Sequence, residues 1–240
     1  MLHIKKRKIK KAVSYTVLSL LAILVLCLAV QLGIYIYKEC TKPVRILTDG
    51  EMMIGNGLTI EKTGKYTGKY MEDGTDDEVE DVMFIVLKNN SSKDLQYADV
   101  KLYKDDEEFL FTASNIPSGD SVMLLEKNRK RAEKKITSAK SESVVFFNNN
   151  MSLQKSLFKI QELDGAVNLI NISGKDISED VYLYYKSGGD GLYMGGITYL
   201  AKVMGGIKKD EVKQLSTKHF ATSSSEIVDI VLVTPAKTEQ

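Results

Sequence analysis

Short runs of alternating apolar and polar residues fill the chain from Pro43 onward and predict β-strands. Segments rich in Asn, Ser, Gly and Asp separate the runs. Short strands with such spacing are typical of antiparallel β-sandwiches, so we predict an all-β body. The clearest runs are MFIVLKN (83–89), ADVKLYK (98–104), EEFLFTA (107–113), SVMLLEK (121–127), SVVFFN (143–148), GAVNLIN (165–171), DVYLYYK (180–186), GITYLAKV (196–203) and EIVDIVLV (226–233).

One strand–turn–strand pattern occurs twice. Residues 93–104, KDLQYADVKLYK, align with residues 175–186, KDISEDVYLYYK, if one residue is dropped between Asp94 and Asp99. The second strand of each copy alternates apolar and polar residues, so one face of it should lie on a core. The repeat predicts two tandem antiparallel Ig-like β-sandwiches. The alternative is chance similarity between two amphipathic hairpins.

Residues 12–37 carry no charged side chain and contain the apolar run VLSLLAILVLCLAV. A helix rises about 1.5 Å per residue, so about 20 residues cross the roughly 30 Å hydrocarbon core of a bilayer. Tyr15, Tyr35 and Tyr37 lie near the ends of this segment, where aromatic residues favour the membrane interface. We therefore expect one N-terminal transmembrane α-helix at 12–38. The alternative is a cleaved secretory signal, whose apolar region is normally about 7–15 residues long.

Basic residues before this segment predict its orientation. They carry six positive charges with no acidic residue among them, which leaves 27 of the 33 Lys and Arg residues against 32 Asp and Glu in the rest of the chain. The positive-inside rule places the N-terminus in the cytoplasm and the body outside the cell membrane. A mildly acidic body argues against nucleic acid as a partner. The orienting residues are Lys5, Lys6, Arg7, Lys8, Lys10 and Lys11.

These features divide the chain into six segments. We expect the body to consist of two β-sandwich domains joined by a charged connector, which is a solvated linker or a short helix. The alternative for the connector is contact with anionic envelope polymers or lipid headgroups. The segments are a cytoplasmic basic tail (1–11), the transmembrane helix (12–38), the first domain (43–126), the connector (127–142), the second domain (143–234) and a C-terminal tail (235–240).

Residues 82–124, VMFIVLKNNSSKDLQYADVKLYKDDEEFLFTASNIPSGDSVML, resemble the FxLYD-type and related Ig-like β-sandwich modules of bacterial envelope proteins. Like those modules, the stretch has a strand, an Asn/Ser-rich turn, a strand ending near Leu-Tyr and a Pro-Ser-Gly turn. The segments NISGKDISEDVYLYYK, GGITYLAKV and STKHFATSSSEIV resemble the C-terminal region of uncharacterised membrane-anchored proteins of Firmicutes. The resemblance implies an Ig-like fold and supplies no catalytic residues.

The stretch YYKSGGDGLYMGGITY, residues 184–199, is rich in tyrosine and glycine and predicts a partner-binding surface. Tyrosine offers a large contact area at a low entropy cost. The first glycines suit a hairpin loop, and the later pair indicates a bulge or a close backbone approach. The alternative is that the tyrosines cover a sheet edge or pack against the other sandwich. The predicted surface comprises Tyr182, Tyr184, Gly188, Gly189, Asp190, Gly191, Tyr193, Gly195 and Gly196.

Few residues of the body are suited to catalysis. The only histidine there is His219, and the sequence holds no Cys/His cluster with zinc-ligand spacing. We expect no cofactor, no metal and no enzymatic activity. The alternative is an envelope hydrolase with a site around His219 and the Gly188–Gly196 loop, in which the histidine pairs with Ser223, Ser224 or Ser225.

The acidic run from Glu72 to Asp81 is compatible with a Ca²⁺ site or with a solvated loop. Its spacing does not fit an EF-hand loop, so we expect a solvated loop. Taken together, the sequence predicts a non-enzymatic, single-pass cell-membrane protein of the bacterial envelope. We expect its extracytoplasmic body to bind or scaffold an envelope protein or a cell-wall component.

Overall fold

The computed structural model describes residues 21–35, 44–75, 77–104, 107–131, 138–189 and 191–235. Three of the predicted features lie outside these ranges. They are the orienting residues between Lys5 and Lys11, the loop residue Asp190, and all of the C-terminal tail beyond Pro235.

Residues 21–35 form a helix, within the segment predicted to cross the membrane. The remaining parts of that segment, residues 12–20 and 36–38, lie outside the described residues. In the part of the chain that the structure describes, no helix is both long enough and apolar enough to span a membrane. The transmembrane segment therefore stays a prediction.

The described residues from Val44 onward form β-strands joined by turns, which confirms the all-β body. Strands missed by the alternation pattern add to those it predicted. The strands are β1 (Val44–Gly55), β2 (Leu58–Lys69), β3 (Glu78–Asn89), β4 (Leu95–Lys104), β5 (Glu107–Ile116), β6 (Ser121–Leu125), β7 (Ser138–Phe146), β8 (Phe158–Leu163), β9 (Ala166–Asn171), β10 (Asp180–Gly189), β11 (Leu192–Val203), β12 (Val212–Ser216) and β13 (Ser225–Val233).

These strands form three sheets. A seven-stranded sheet has the order β1-β2-β3-β6-β11-β10-β13, and two three-stranded sheets have the orders β5-β4-β7 and β12-β9-β8. The pairs are antiparallel, except that β6 and β11 are parallel over three residue pairs. We call β1–β7 the first half and β8–β13 the second half.

Each half has its own apolar core. In the first half, alternate residues of β3 (Met83, Ile85, Leu87) pack with those of β4 (Val100, Leu102), so the large sheet and a small sheet form two layers. In the second half, alternate residues of β9 (Val167, Leu169) pack with those of β10 (Val181, Leu183) in the same way. Full burial of one such side chain contributes about 1.5–3 kcal/mol. The alternation that predicted the strands is therefore explained by these two layers.

The two halves repeat one arrangement of six strands. In the first half β3 lies between β2 and β6, and β4 lies between β5 and β7. In the second half β9 lies between β8 and β12, and β10 lies between β11 and β13. The registers correspond as well. Lys88 of β3 pairs with Ser121, the first residue of β6, and Ile170 of β9 pairs with Val212, the first residue of β12. The repeat seen in the sequence of two strands thus extends to six.

A buried asparagine anchors the turn after β3. The Asn89 amide donates to the carbonyl oxygens of Lys93 at 2.9 Å, Ile116 at 3.1 Å and Pro117 at 3.2 Å. Its own carbonyl oxygen accepts hydrogen bonds from the Ser91 amide and hydroxyl at 3.2 and 2.7 Å. One side chain therefore joins the β3–β4 turn to the β5–β6 turn.

The second half contains the same network at Asn171. Its amide donates to the carbonyl oxygens of Lys175 at 2.8 Å, Ile207 at 3.0 Å and Lys208 at 3.1 Å. Its carbonyl oxygen accepts from the Ser173 amide at 3.0 Å and from the Ser173 hydroxyl at 2.7 Å. The two networks correspond bond by bond, at equivalent positions of the repeated pattern.

The two halves belong to one compact unit, Val44–Gln240. The parallel pairing of β6 with β11 makes the large sheet continuous across them. The predicted start of a second domain at residue 143 falls within β7, which pairs with β4 of the first half. The predicted connector contains a turn after β6, residues outside the described ranges, and the beginning of β7 at Ser138.

Candidate functional site

A groove with a volume of about 590 Å³ lies where the two halves meet. Aromatic and aliphatic side chains form most of its walls, with a few polar groups among them, which is the usual make-up of a binding site. The walls are Gln96, Tyr97, Asn115, Val145 and Phe147 from the first half and Tyr184, Asp229 and Val231 from the second.

Tyr182 and Tyr184, two of the three tyrosines of the predicted surface, lie on the same side of β10. Leu183 and Tyr185 enter the second core from the opposite side. Tyr182 and Tyr184 are both half-buried. Tyr182 pairs with Val231 of β13, and Tyr184 forms a wall of the groove. Tyr184 also packs against the first core, so it joins the two halves in addition to facing the groove.

Three residues of the predicted surface, Tyr193, Gly195 and Gly196, are buried in this structure, and the binding surface stays a prediction. Tyr193 belongs to the first core, and its hydroxyl donates to the Asp120 carboxylate at 3.3 Å. Burial, and then the carboxylates of Glu226 and Asp120, raise the pKa of Tyr193. Gly195 and Gly196 are covered as well. β11 passes through the junction between the halves, and these three residues are covered there.

The hairpin glycines lie where the sequence predicts them. β10 ends at Gly189 and β11 begins at Leu192, with Gly188 and Gly191 at positive φ of 92° and 80°. Gly188 and Gly189 line a polar cleft of about 540 Å³ together with the segment from Thr222 to Glu226. The loop is therefore half-buried against a serine-rich segment.

His219 is exposed, and its ring lies 5.7 Å from that of Tyr199. Ser225 donates a hydrogen bond of 3.5 Å to the backbone carbonyl of His219, so this bond does not involve the imidazole. Among the described residues that line the serine-rich cleft, His219 does not appear. The hydrolase alternative stays a hypothesis, and the contacts of His219 described above do not support it.

A bulge interrupts the pairing of β10 with β11. Tyr185 pairs with Tyr199, but the next pair is Ser187 with Met194, so residues 195–198 of β11 lie opposite Lys186 alone. The bulge and the close approach expected of Gly195 and Gly196 are both present. A Cβ on Gly196 would overlap the carbonyl oxygen of Thr112.

Lys186 fills the gap that the bulge leaves in the ladder, and its side chain is fully buried. Its Nζ donates to the carbonyl oxygens of Ile197 at 2.8 Å, Ser114 at 3.0 Å and Gly196 at 3.3 Å, and to the Thr198 hydroxyl at 3.4 Å. An ammonium group has three protons to donate and no acceptor, and this cage offers it only oxygen acceptors.

Glu72 reaches the same bulge from the connection between β2 and β3. Its two carboxylate oxygens accept hydrogen bonds from the amides of Leu125 and Gly196, both at 2.7 Å. The expectation that the whole acidic run is solvated is therefore wrong at Glu72. Glu72 also lines a cleft of about 270 Å³ beside the lysine cage.

Loss of hydration on burial is the largest cause of the pKa shift of both Glu72 and Lys186. Burial raises the pKa of Glu72 to about 7, against the opposing effects of its two backbone hydrogen bonds and of Lys186. Burial lowers the pKa of Lys186 to about 7, and Glu72 opposes that shift. Each shift records the cost of placing a charge in an interior of low dielectric.

Asp73 and Asp77 of the acidic run lie at the surface. Arg129, from the turn after β6, lies 2.9 Å from both Asp73 and Asp77 and 4.5 Å above the ring of Tyr70. Within the described residues, no group of three or more His, Cys, Asp or Glu side chains is placed to hold a metal ion. The acidic loop is thus tied to the basic turn by surface ion pairs.

Sequence reasoning missed both Lys186 and Glu72. Lys186 ends an alternating strand, where a lysine normally reaches solvent, and Glu72 begins a run of surface acids. The sequence offered one indication of this site, the glycine pair Gly195–Gly196 of β11. The pair predicted a bulge, but it did not identify the side chains that bind the bulge.

A comparison of the chain with protein-family models, with curated proteins and with solved structures finds no significant match in any of the three. The resemblance to FxLYD-type modules accordingly remains an expectation.

Proposed function

We propose that this protein is a non-enzymatic binding or scaffolding protein of the bacterial cell envelope. Its N-terminal apolar segment anchors it in the cell membrane, and its β-sheet body lies on the outer side. The uncharged stretch at residues 12–37 behind a basic tail supports the anchor and the orientation.

The body consists of two tandem Ig-like β-sandwiches that arose by duplication of one unit. The equivalent networks around Asn89 and Asn171, and the equivalent order of six strands, support this division. Such sandwiches commonly serve as display and adhesion modules without carrying chemistry of their own.

The observation that carries the binding function is the groove between the halves. It combines Tyr97, Phe147 and Tyr184 with aliphatic side chains, and it opens to solvent on a surface made by both copies. Aromatic residues are enriched where partners bind, because they offer a large area at a small entropic cost. The partner is an envelope protein or a cell-wall component.

Site-specific photocrosslinking tests this function in membranes of the source organism. A photoreactive phenylalanine derivative replaces Val145, a groove residue that is 48% exposed, and a matched control carries it at Leu163 on β8, which is 44% exposed. We expect a discrete crosslinked product from the Val145 position only, and its loss in a folded Tyr182→Ala/Tyr184→Ala variant. Equal yields at both positions, or no product at Val145, would contradict a partner in the groove.

A further inference from the structure

The contact between the two halves depends on few backbone bonds. β6 and β11 pair in parallel over only Ser121–Met123 and Leu192–Met194. Side chains must therefore supply much of the junction. Tyr193 and Tyr184 do so through apolar contacts with the first core. Polar contacts across the junction include the Tyr193–Asp120 hydrogen bond, the bond from Gly196 to Glu72, and the cage around Lys186.

The cage draws its oxygens from both halves. Ser114 belongs to β5 of the first half, whereas Gly196, Ile197 and Thr198 belong to the bulge of β11 in the second. The Ser114 hydroxyl adds links of 2.8 Å to the Gly196 carbonyl and 2.9 Å to the Thr198 hydroxyl. One buried ammonium group and one hydroxyl thus connect the two halves across the bulge.

Glu72 holds the same bulge from its other side. It binds the Gly196 amide, while Lys186 binds the Gly196 carbonyl. Glu72 also binds the amide of Leu125 in β6, the strand that pairs with β11. The amide and the carbonyl group of Gly196 lie in the bulge, where β11 has no register partner on β10, and they are bound by Glu72 and Lys186 respectively.

We propose that Lys186 is a latch that fixes the position of one half relative to the other. The bulge at residues 195–198 of its own half holds the ammonium group in place, and the Ser114 carbonyl oxygen of β5 is its partner in the first half. Tyr184 lies two residues before Lys186 on the same side of β10 and faces the groove. The latch therefore sets the width of the groove, and Lys186 acts as a positioning residue that does not touch the bound partner.

The geometry explains why a lysine is required. A shorter or apolar side chain would leave carbonyl oxygens buried without donors, which costs free energy for each unmet group. Removing the ammonium group should release the bulge from β5 and allow the halves to shift, although each core stays intact.

Distance measurement by pulsed electron paramagnetic resonance on the full chain in detergent tests the latch. Spin labels are attached to Met53→Cys on β1 and Val212→Cys on β12, two exposed sites in different halves and away from the groove, with Cys27 and Cys40 replaced by serine. We compare Lys186→Met with Lys202→Met, which removes an exposed lysine from the neighbouring strand β11.

We expect one narrow distance distribution for the parent protein and for Lys202→Met. For Lys186→Met we expect a shift or broadening of roughly 2 Å or more, the scale of domain rearrangements. A folded Lys186→Met protein with an unchanged distribution would overturn the latch. If Lys186→Met does not fold, Thr198→Val takes its place, because it removes one hydroxyl of the cage with little change of shape. A broader distance distribution for Thr198→Val supports the latch. An unchanged distribution overturns it. No partner is needed, so the outcome is independent of the proposed binding function.

Discussion

At the scale of single residues, the two buried asparagines show what a pairwise sequence match leaves out. Asn89 and Asn171 begin the polar turns of the repeat, where asparagine is common for its local turn propensity. Their contacts reach much further, to carbonyl oxygens 27 and 36 residues away in the chain. Each side chain therefore fixes one turn onto another.

Replacement of Asn171 by alanine should destabilise the protein. The change leaves the carbonyl oxygens of Lys175, Ile207 and Lys208 without this donor in a buried site. Since each unmet buried group costs about 1–3 kcal/mol, we expect Asn171→Ala to lower the free energy of unfolding by roughly 2–4 kcal/mol. Urea denaturation followed by circular dichroism measures the change.

Asn168→Ala is the matched control for this experiment. Asn168 lies three residues earlier on β9, and its side-chain carbonyl oxygen accepts no hydrogen bond from the residues that the structure describes. Its replacement should have a much smaller effect. Equal losses in the two variants would show that the Asn171 network contributes nothing specific.

The Glu72–Lys186 pair predicts an unusual dependence of stability on pH. Glu72 has an ordinary value of 4.5 and a folded pKa of about 7, so the folded state holds its proton longer and stability falls as pH rises between these values. Lys186 has an ordinary value of 10.5 and a folded pKa of about 7, so stability recovers as pH rises between those values. The contribution of the pair should be lowest near pH 7.

The check is the difference in unfolding free energy between the parent protein and Glu72→Gln/Lys186→Met across this pH range. Subtraction removes the effect of the other titrating groups, since both proteins share them. We expect a minimum of the difference near neutral pH. A maximum there would contradict the prediction and mean that the hydrogen bonds to the charged forms outweigh their desolvation. A flat difference would also contradict it, because the two effects would then cancel.

At the scale of elements, the sequence predicted strands wherever one face is apolar and the other polar. β4 and β10 meet that condition, and their alternation agrees with their burial. β1 and β2 were not among the predicted strands. In β2, LTIEKTGKYTGK, Gly and Lys stand at positions where alternation needs apolar residues. β12 is short and largely exposed, so it too lacked a clear pattern.

The bulge of β11 should be intolerant of a single methyl group. Gly196 lies against the Thr112 carbonyl oxygen, and a Cβ there would overlap it, so β5 and β11 would have to move apart. We expect Gly196→Ala to destabilise the protein by roughly 1–3 kcal/mol, as overpacking does. Thermal denaturation monitors the loss.

Gly189→Ala provides the comparison at the end of β10. A Cβ at that position would meet only a Glu226 carboxylate oxygen, at an ordinary contact distance of 3.8 Å. We expect its melting temperature to stay close to that of the parent protein. If Gly196→Ala melts at the same temperature as Gly189→Ala, the bulge is looser than the structure implies.

At the scale of the whole molecule, the repeat was visible in the sequence but the way its copies join was not. Two similar units on one chain suggest two independent domains joined by a flexible linker. The short parallel pairing of β6 with β11 makes them one sheet instead, through contacts between residues about 70 positions apart. No local pattern encodes such a pairing, and the same holds for Lys186, which meets Ser114 of the other half.

The orientation in the membrane is the prediction that concerns the whole chain. Six positive charges before the apolar segment should keep the N-terminus in the cytoplasm and leave the body outside. Met53 on β1 is 85% exposed, so a cysteine placed there should react with a membrane-impermeant maleimide on intact cells. The background for this measurement is a chain in which Cys27 and Cys40 are serine.

Lys5→Cys in the same background is the control for the opposite side of the membrane. It should react with the maleimide only after the cells are permeabilised, whereas Met53→Cys should react equally before and after. The reverse pattern would place the body in the cytoplasm, where the groove could not meet a cell-wall component. Labelling of both sites on intact cells would indicate that the N-terminal segment does not cross the membrane, and the body would then reach the outer surface by another route.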